Sequence, residues 1–228
     1  MNNTQDILNI FIEKYKNKDI REIGNKKQES NTLEIQNAHF IVDKPWIVRE
    51  PNYDYFNKEL KWYYSESLNV YDIDSIPPKQ WMMCANKDGN INSNYGWCIF
   101  SKDNGYQYRN CKRKLIEDPH TREAIMIYNR PSMQYDYNKD GMHDFMCCQN
   151  VQYFINEREG KSYLDCIVNF RSNDAIFGFN NDALWMQHIQ QKLALELKCE
   201  VGIMYWNAGS LHIYEKHFKI LDNIINNE

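Results

Sequence analysis

The sequence predicts an α+β fold. Three observations carry this. Asp182 to Lys198 sets Leu184, Trp185, His188, Ile189, Leu193, Leu195 and Leu197 at helical spacing, giving a broad apolar face. Just before it, Cys147–Asn156 and Ser162–Arg171 read as two strands joined around Glu159-Gly160. Helical and extended segments then mix without the regular alternation that a parallel α/β sheet would require.

In order along the chain, Thr4 can cap a helix in which Ile7, Ile10, Phe11 and Tyr15 recur on one side. Lys16 to Glu29 is polar and reads as a loop. Asn31 to Val42 alternates imperfectly and predicts a strand with a bulge at Gln36-Asn37, ended by Asp43-Lys44-Pro45. Tyr53 to Asn69 predicts a helix bearing Phe56, Leu60, Tyr63 and Tyr64, with Glu59 beside that face, where a glutamate is ordinarily solvated. Ser75 to Asn94 is a long irregular connection, and such loops are often functional. Gln107 to Glu117 is a basic helix stopped by Asp118-Pro119, and Glu123 to Tyr128 a short strand. Val201–Trp206 and Ser210–Tyr214 read as two further strands, and Phe218–Ile225 as a closing amphipathic helix.

The length of 228 residues suits one domain, 1–228, with a sizeable core. A net charge of -4 argues against a general binder of nucleic acids or membrane surfaces, so any phosphate must be met by a few placed arginines. No apolar run approaches the roughly 18 residues that span a bilayer, and Met1 to Asp6 lacks the pattern of a secretory signal. The seven cysteines are odd in number and form no CxxC pair, which fits free thiols in a reducing cytoplasm and no metal site.

Asn169 to Asp182 is dense in polar groups between two apolar elements and reads as the floor of a nucleotide site. Arg171-Ser172 offers a forked donor and a hydroxyl, which suits a phosphate monoester; the ordinary alternative for an arginine is a weak surface ion pair. Arg122 lies on a second turn. Cys147 and Cys148 enter a strand, and a nucleophilic thiol there needs a neighbouring cation such as Arg171. His212 and Tyr214, two apart on a strand, share a side and fit a sugar hydroxyl or the core. Asp182 also reads as a helix cap.

Taken together, Cys147-(x)4-Gln152-Tyr153-Phe154, Arg171-Ser172-Asn173-Asp174-(x)3-Gly178 and Trp206-Asn207-Ala208-Gly209-Ser210-Leu211-His212-Ile213-Tyr214 resemble the thymidylate synthase superfamily. Weaker echoes are Glu59-Leu60-Lys61-Trp62, Asn94-Tyr95-Gly96 and Asp118-Pro119-(x)2-Arg122. The resemblance implies a mixed sheet packed with helices, a sheet-to-sheet homodimer with shared active sites, a nucleotide monophosphate substrate and 5,10-methylenetetrahydrofolate as co-substrate. It implies Cys147 as nucleophile, Arg171 and Ser172 on the phosphate with Arg122 reaching across from the partner, and His212 and Tyr214 on the sugar. Asp174, Gly178 and Trp81 would meet the folate, and Glu59 and Tyr95 would organise proton-moving waters. Cys148 and Glu123 depart from the histidine and the second arginine usual in the family, a pattern also compatible with a non-catalytic nucleotide-binding relic.

Two further departures set the expected activity. Asp182 stands where family members that act on uracil carry asparagine, and an ionised carboxylate can only accept hydrogen bonds. That suits cytosine with its C4 amino group and a protonated N3, and disfavours the O4 of uracil. The sequence also stops ten residues after Phe218, where the synthases continue into a tail that excludes water. Both departures resemble the phage-type deoxycytidylate-hydroxymethylating branch, which implies hydroxymethylation of dCMP in the cytoplasm, a host's if the gene is viral. Action on dUMP, with methylation or hydroxymethylation, is the alternative.

Overall fold

The computed structural model describes residues 1–23 and 30–226. Seven strands among these residues build one mixed sheet. They are β1 (Arg21–Ile23), β2 (Ser30–Ile41), β3 (Ile125–Ile127), β4 (Cys148–Arg158), β5 (Lys161–Phe170), β6 (Asn173–Asp174) and β7 (Glu200–Tyr214). The order is β1-β2-β7-β5-β4-β3, with β6 on β7. β5 and β6 run parallel to β7 and the remaining pairs are antiparallel.

The helices are α1 (Thr4–Lys16), α2 (Tyr53–Ser65), α3 (Lys79–Cys84), α4 (Tyr95–Phe100), α5 (Gln107–Glu117), α6 (Met133–Asp136), α7 (Gly178–Leu197) and α8 (Phe218–Ile225). α7 buries Phe179, Trp185, Met186, Ile189 and Leu193 completely. Phe179 meets Phe40 of β2 and Trp206 of β7 at ring separations of 5.7 and 5.0 Å, so the helix start is locked onto the middle of the sheet. Among the described residues no helix is long and apolar enough to cross a membrane.

Several boundaries differ from expectation. α7 begins at Gly178, four residues early, because burial of Phe179 and Asn180 draws Gly178 to Asn181 into the helix. Asp182 is therefore an interior residue, not a cap. Val201–Trp206 and Ser210–Tyr214 are one strand, β7, unbroken across Asn207-Ala208-Gly209. No bulge forms at Gln36-Asn37: the register runs one-to-one from Thr32↔Tyr214 to Ile41↔Tyr205, and Asn37 absorbs the irregularity with a φ of 53°. α2 stops at Ser65, where Glu66 turns left-handed (φ 58°). Asn3 caps α1 in place of Thr4, whose hydroxyl donates to Asp43 Oδ1 at 2.5 Å. The expected loop Lys16–Glu29 contains β1, and residues 24–29 lie outside the described residues. The long connection Ser75–Asn94 contains α3.

The contact of α4 with α2 sets where Tyr95 stands relative to Glu59. Asn94, fully buried, accepts from Trp97 N at 2.8 Å and donates to Trp62 O and Ser67 O at 3.0 and 2.9 Å. A Cβ on Gly96 would lie 1.7 Å from the Tyr63 carbonyl oxygen. Gly96→Ala must therefore push the two helices apart, at a cost of about 3 kcal/mol measurable by urea unfolding.

Candidate active site

α2, α4, α7, the loop before β4 and the ends of β5 and β7 converge on one polar cluster. Cys147 is half-buried at the mouth of β4, and Arg171 lies at the end of β5, its Nη2 3.6 Å from the Cys147 sulfur. The guanidinium is fixed by Nε to Met146 O at 2.9 Å and Nη2 to Phe145 O at 2.6 Å, and it stacks on the Phe145 ring at 4.8 Å. The Arg171 amide donates to Cys147 O at 2.9 Å. The strand pairing that brings cation and thiol together is thus present. Burial pushes the Cys147 thiol up to about 11, against the opposing pull of Arg171. Cys148 is fully buried, and burial followed by repulsion from Asp182 raises its thiol further, with no cation to offset it. Of the two thiols, Cys147 alone combines partial exposure with an arginine.

Asp182, on the second turn of α7, faces inward. Tyr95 Oη donates to its Oδ1 at 2.9 Å and Asn173 Nδ2 to its Oδ2 at 2.7 Å. Desolvation dominates over these two bonds and lifts the carboxyl to about 7. Asp182 also repels Cys147, so carboxyl and thiol share one electrostatic neighbourhood.

Glu59 is buried (2% exposed) on the face of α2 that packs inward. Its Oε1 accepts from Tyr55 Oη at 2.7 Å and from Trp81 Nε1 of α3 at 2.8 Å, while Oε2 is buried without a partner. Burial raises this carboxyl above its ordinary range, and Tyr55, Trp81, Tyr63 and Asn181 pull it back.

On the other side, His212 and Tyr214 of β7 project together, ring centroids 4.8 Å apart. Burial lowers the His212 pKa, which keeps the ring neutral near neutral pH. Asp174 pairs with His212 across β6 and β7, and its Oδ1 accepts from Ile176 N at 2.9 Å. A Cβ on Gly178 would sit 3.4 Å from Asp174 Cβ and 3.9 Å from Asp182 Oδ2, so Gly178 lies between the two carboxylates. Ser172, half-buried, joins β5 to β6 directly after Arg171.

Arg122 is the sequence candidate that stays apart: it is exposed ahead of the edge strand β3, where its carbonyl accepts from Gln152 Nε2 at 2.8 Å. Glu123 pairs with Lys114. Three supporting residues had no sequence signal of their own. Asn173 is one polar residue among several between Arg171 and Gly178, and Tyr55 one more aromatic on α2. Asp144, 4% exposed, accepts from Ser93 Oγ at 2.7 Å and Asn92 N at 2.6 Å, tying the Cys147 loop to the segment that carries Tyr95. An i,i+4 inspection around Glu59 would have found Tyr55.

One cluster on this sheet thus holds a thiol–arginine pair, a buried carboxyl at Glu59 and a half-buried one at Asp182. A family model described as thymidylate synthase matches residues 15–228, and the chain belongs to that family. Among its relatives, the deoxycytidylate 5-hydroxymethyltransferase of Enterobacteria phage T4 is 46% identical over 199 residues, 84% of this chain and 79% of the relative. The thymidylate synthase of Bacillus licheniformis is 28% identical over 175 residues, 73% of this chain and 58% of the relative. The solved thermostable thymidylate synthase A from Bacillus subtilis superposes with a TM-score of 0.71 at 21% identity, covering 96% of this chain and 83% of that one. That last likeness bears on the fold alone.

Proposed function

We propose that this chain is a folate-dependent deoxycytidylate 5-hydroxymethyltransferase, which converts dCMP to 5-hydroxymethyl-dCMP and releases tetrahydrofolate. The observation that carries the reading is Asp182: a carboxyl gripped by Tyr95 and Asn173, in the electrostatic neighbourhood of Cys147, and the resemblance implies that this residue reads the base. The 46% identity to a deoxycytidylate 5-hydroxymethyltransferase supports the same choice.

The residues present fit a folate co-substrate. Trp81 offers an indole held by Glu59, Gly178 leaves bare backbone between Asp174 and Asp182, and Glu59 Oε2 is a buried acceptor awaiting a partner. Bound there, methylenetetrahydrofolate would supply a carbon at the oxidation level of formaldehyde. The chain's own groups do the rest. Arg171 and Ser172 hold the phosphate, and His212 and Tyr214 the sugar 3′-hydroxyl. The Cys147 thiolate adds to C6, which makes C5 nucleophilic. Asp182 accepts from the C4 amino group and carries the proton at N3 as the ring's electrons shift. Glu59 and Tyr95 hold the water that supplies the new hydroxyl, and Cys147 departs. The chain acts as one catalytic domain, paired with a second copy whose Arg122 completes the phosphate site; this accounts for Arg122 lying outside the cluster of its own chain.

One observation favours dUMP as a secondary substrate. With its carboxyl lifted to about 7, Asp182 is partly protonated at neutral pH, and a neutral carboxyl can donate to O4 and accept from N3–H as asparagine does.

Incubating the protein with dCMP and methylenetetrahydrofolate, then identifying the product by mass spectrometry, tests the reading. 5-Hydroxymethyl-dCMP with tetrahydrofolate is expected. A methylated nucleotide accompanied by the absorbance rise of dihydrofolate would contradict it.

A further inference from the structure

We propose that Tyr55 is a positioning residue for the addition of water, aiming the free oxygen of Glu59 at it and keeping that carboxyl able to take its proton. The inference rests on the hydroxymethyltransferase reading above. Tyr55 stands one turn before Glu59 on α2, the i,i+4 spacing that lets side chains meet. Its hydroxyl and the Trp81 indole both donate to Oε1, at 2.7 and 2.8 Å. Two donors on one oxygen fix the rotation of the carboxyl about its terminal bond, and Oε2 is left buried without a partner. A buried carboxylate oxygen is costly to leave unpaired, so Oε2 is a site for a water hydrogen.

In the addition step, the water oxygen bonds to the exocyclic methylene carbon on C5, and its proton passes to Glu59 Oε2. The electron pair of the exocyclic double bond moves into C5–C6, and the C6–S bond breaks with its electrons leaving on Cys147 as thiolate. One carboxylate is consumed and one thiolate is released. The step needs Glu59 ionised, and its surroundings oppose that. Burial favours the neutral acid, and Asp182 of α7 adds repulsion. The groups that face Glu59 are Tyr55 and Tyr63 from its own helix, Trp81 from α3, and Asn181 and Asp182 from α7. Tyr55 and Trp81 are the closest donors among them, and burial beside Glu59 keeps the Tyr55 hydroxyl protonated, hence a donor throughout the working range.

The test is the pH dependence of 5-hydroxymethyl-dCMP formation by wild type and Tyr55→Phe, both checked for folding by thermal melting. Loss of a hydrogen bond to a charged group predicts a rate roughly 10- to 100-fold lower near neutral pH, with the rising limb moved about one pH unit or more to higher pH. In the Glu59→Gln background the same substitution should change the rate by less than about twofold, because Tyr55 acts through Glu59. If Tyr55→Phe fails to fold, fluorotyrosine at position 55, a stronger donor, should move the limb to lower pH. An unmoved limb, or effects that multiply in the double variant, overturns the role of Tyr55. A wild type that makes no hydroxymethylated product overturns the functional reading instead, and this inference with it.

Discussion

Cys147→Ala is expected to abolish exchange and release of the C5 hydrogen of dCMP, with a loss of roughly four orders of magnitude or more, since no other group can carry the covalent step. The environment explains why the loss should be so complete. Cys148 is fully buried and its thiol is raised well above the ordinary value by burial and Asp182, so it cannot substitute. Cys147 itself rests as a thiol, pushed up to about 11, and Arg171 is the cation that opposes this. Alkylation of Cys147 should therefore be slow at neutral pH and accelerate about tenfold per pH unit, reporting the thiolate fraction. Arg171→Ala should slow it further at every pH below the thiol's own. Mass spectrometry of the alkylated peptide measures both.

Asp182→Asn is expected to invert base preference and to stabilise the protein at alkaline pH. Asparagine donates to O4 and accepts from N3–H, whereas the C4 amino group of cytosine would face the amide's own donors. A mispaired buried donor costs about 2–4 kcal/mol, so dCMP turnover should fall roughly 30- to 1,000-fold while dUMP gains. The stability effect comes from proton linkage. Burial lifts the Asp182 carboxyl from 3.8 to about 7, so between those values the folded chain binds a proton that the unfolded chain has released. Stability then falls as pH rises through that window, and the whole penalty is present above about 7. Removing the charge should raise stability at about pH 8 by on the order of 2 kcal/mol, and the gain should vanish below about pH 4, where both states hold the proton. Thermal melts of wild type and variant at the two pH values check the sign.

Much of this architecture was legible in local pattern. The period of α7 and the turn at Glu159-Gly160 specified the helix and hairpin on either side of the polar stretch Asn169 to Asp182, which reads as the floor of a nucleotide site. What local pattern missed was tertiary. Asp182 looked like a cap because Gly178 to Asn181 has weak helix propensity; the burial of Phe179 between Phe40 and Trp206 overrode it. β7 looked like two strands because Ala208-Gly209 interrupts the alternation. Yet a Cβ on Gly209 would come 2.9 Å from Arg171 O, so the glycine is there to let the arginine's backbone approach. The supporting contacts of Asp144, Asn173 and Tyr55 join residues whose partners depend on how the helices pack, and no spacing in the chain announces the first two.

The most direct test is the ratio of tritium release from [5-³H]dCMP and [5-³H]dUMP, with methylenetetrahydrofolate, measured for the wild type across neutral pH. dCMP should be preferred, and the preference should grow as pH rises through about 7, because the ionised carboxylate of Asp182 repels O4 of uracil while the neutral acid tolerates it. Faster release from dUMP than from dCMP above that pH would contradict the assignment of Asp182 as the reader of cytosine.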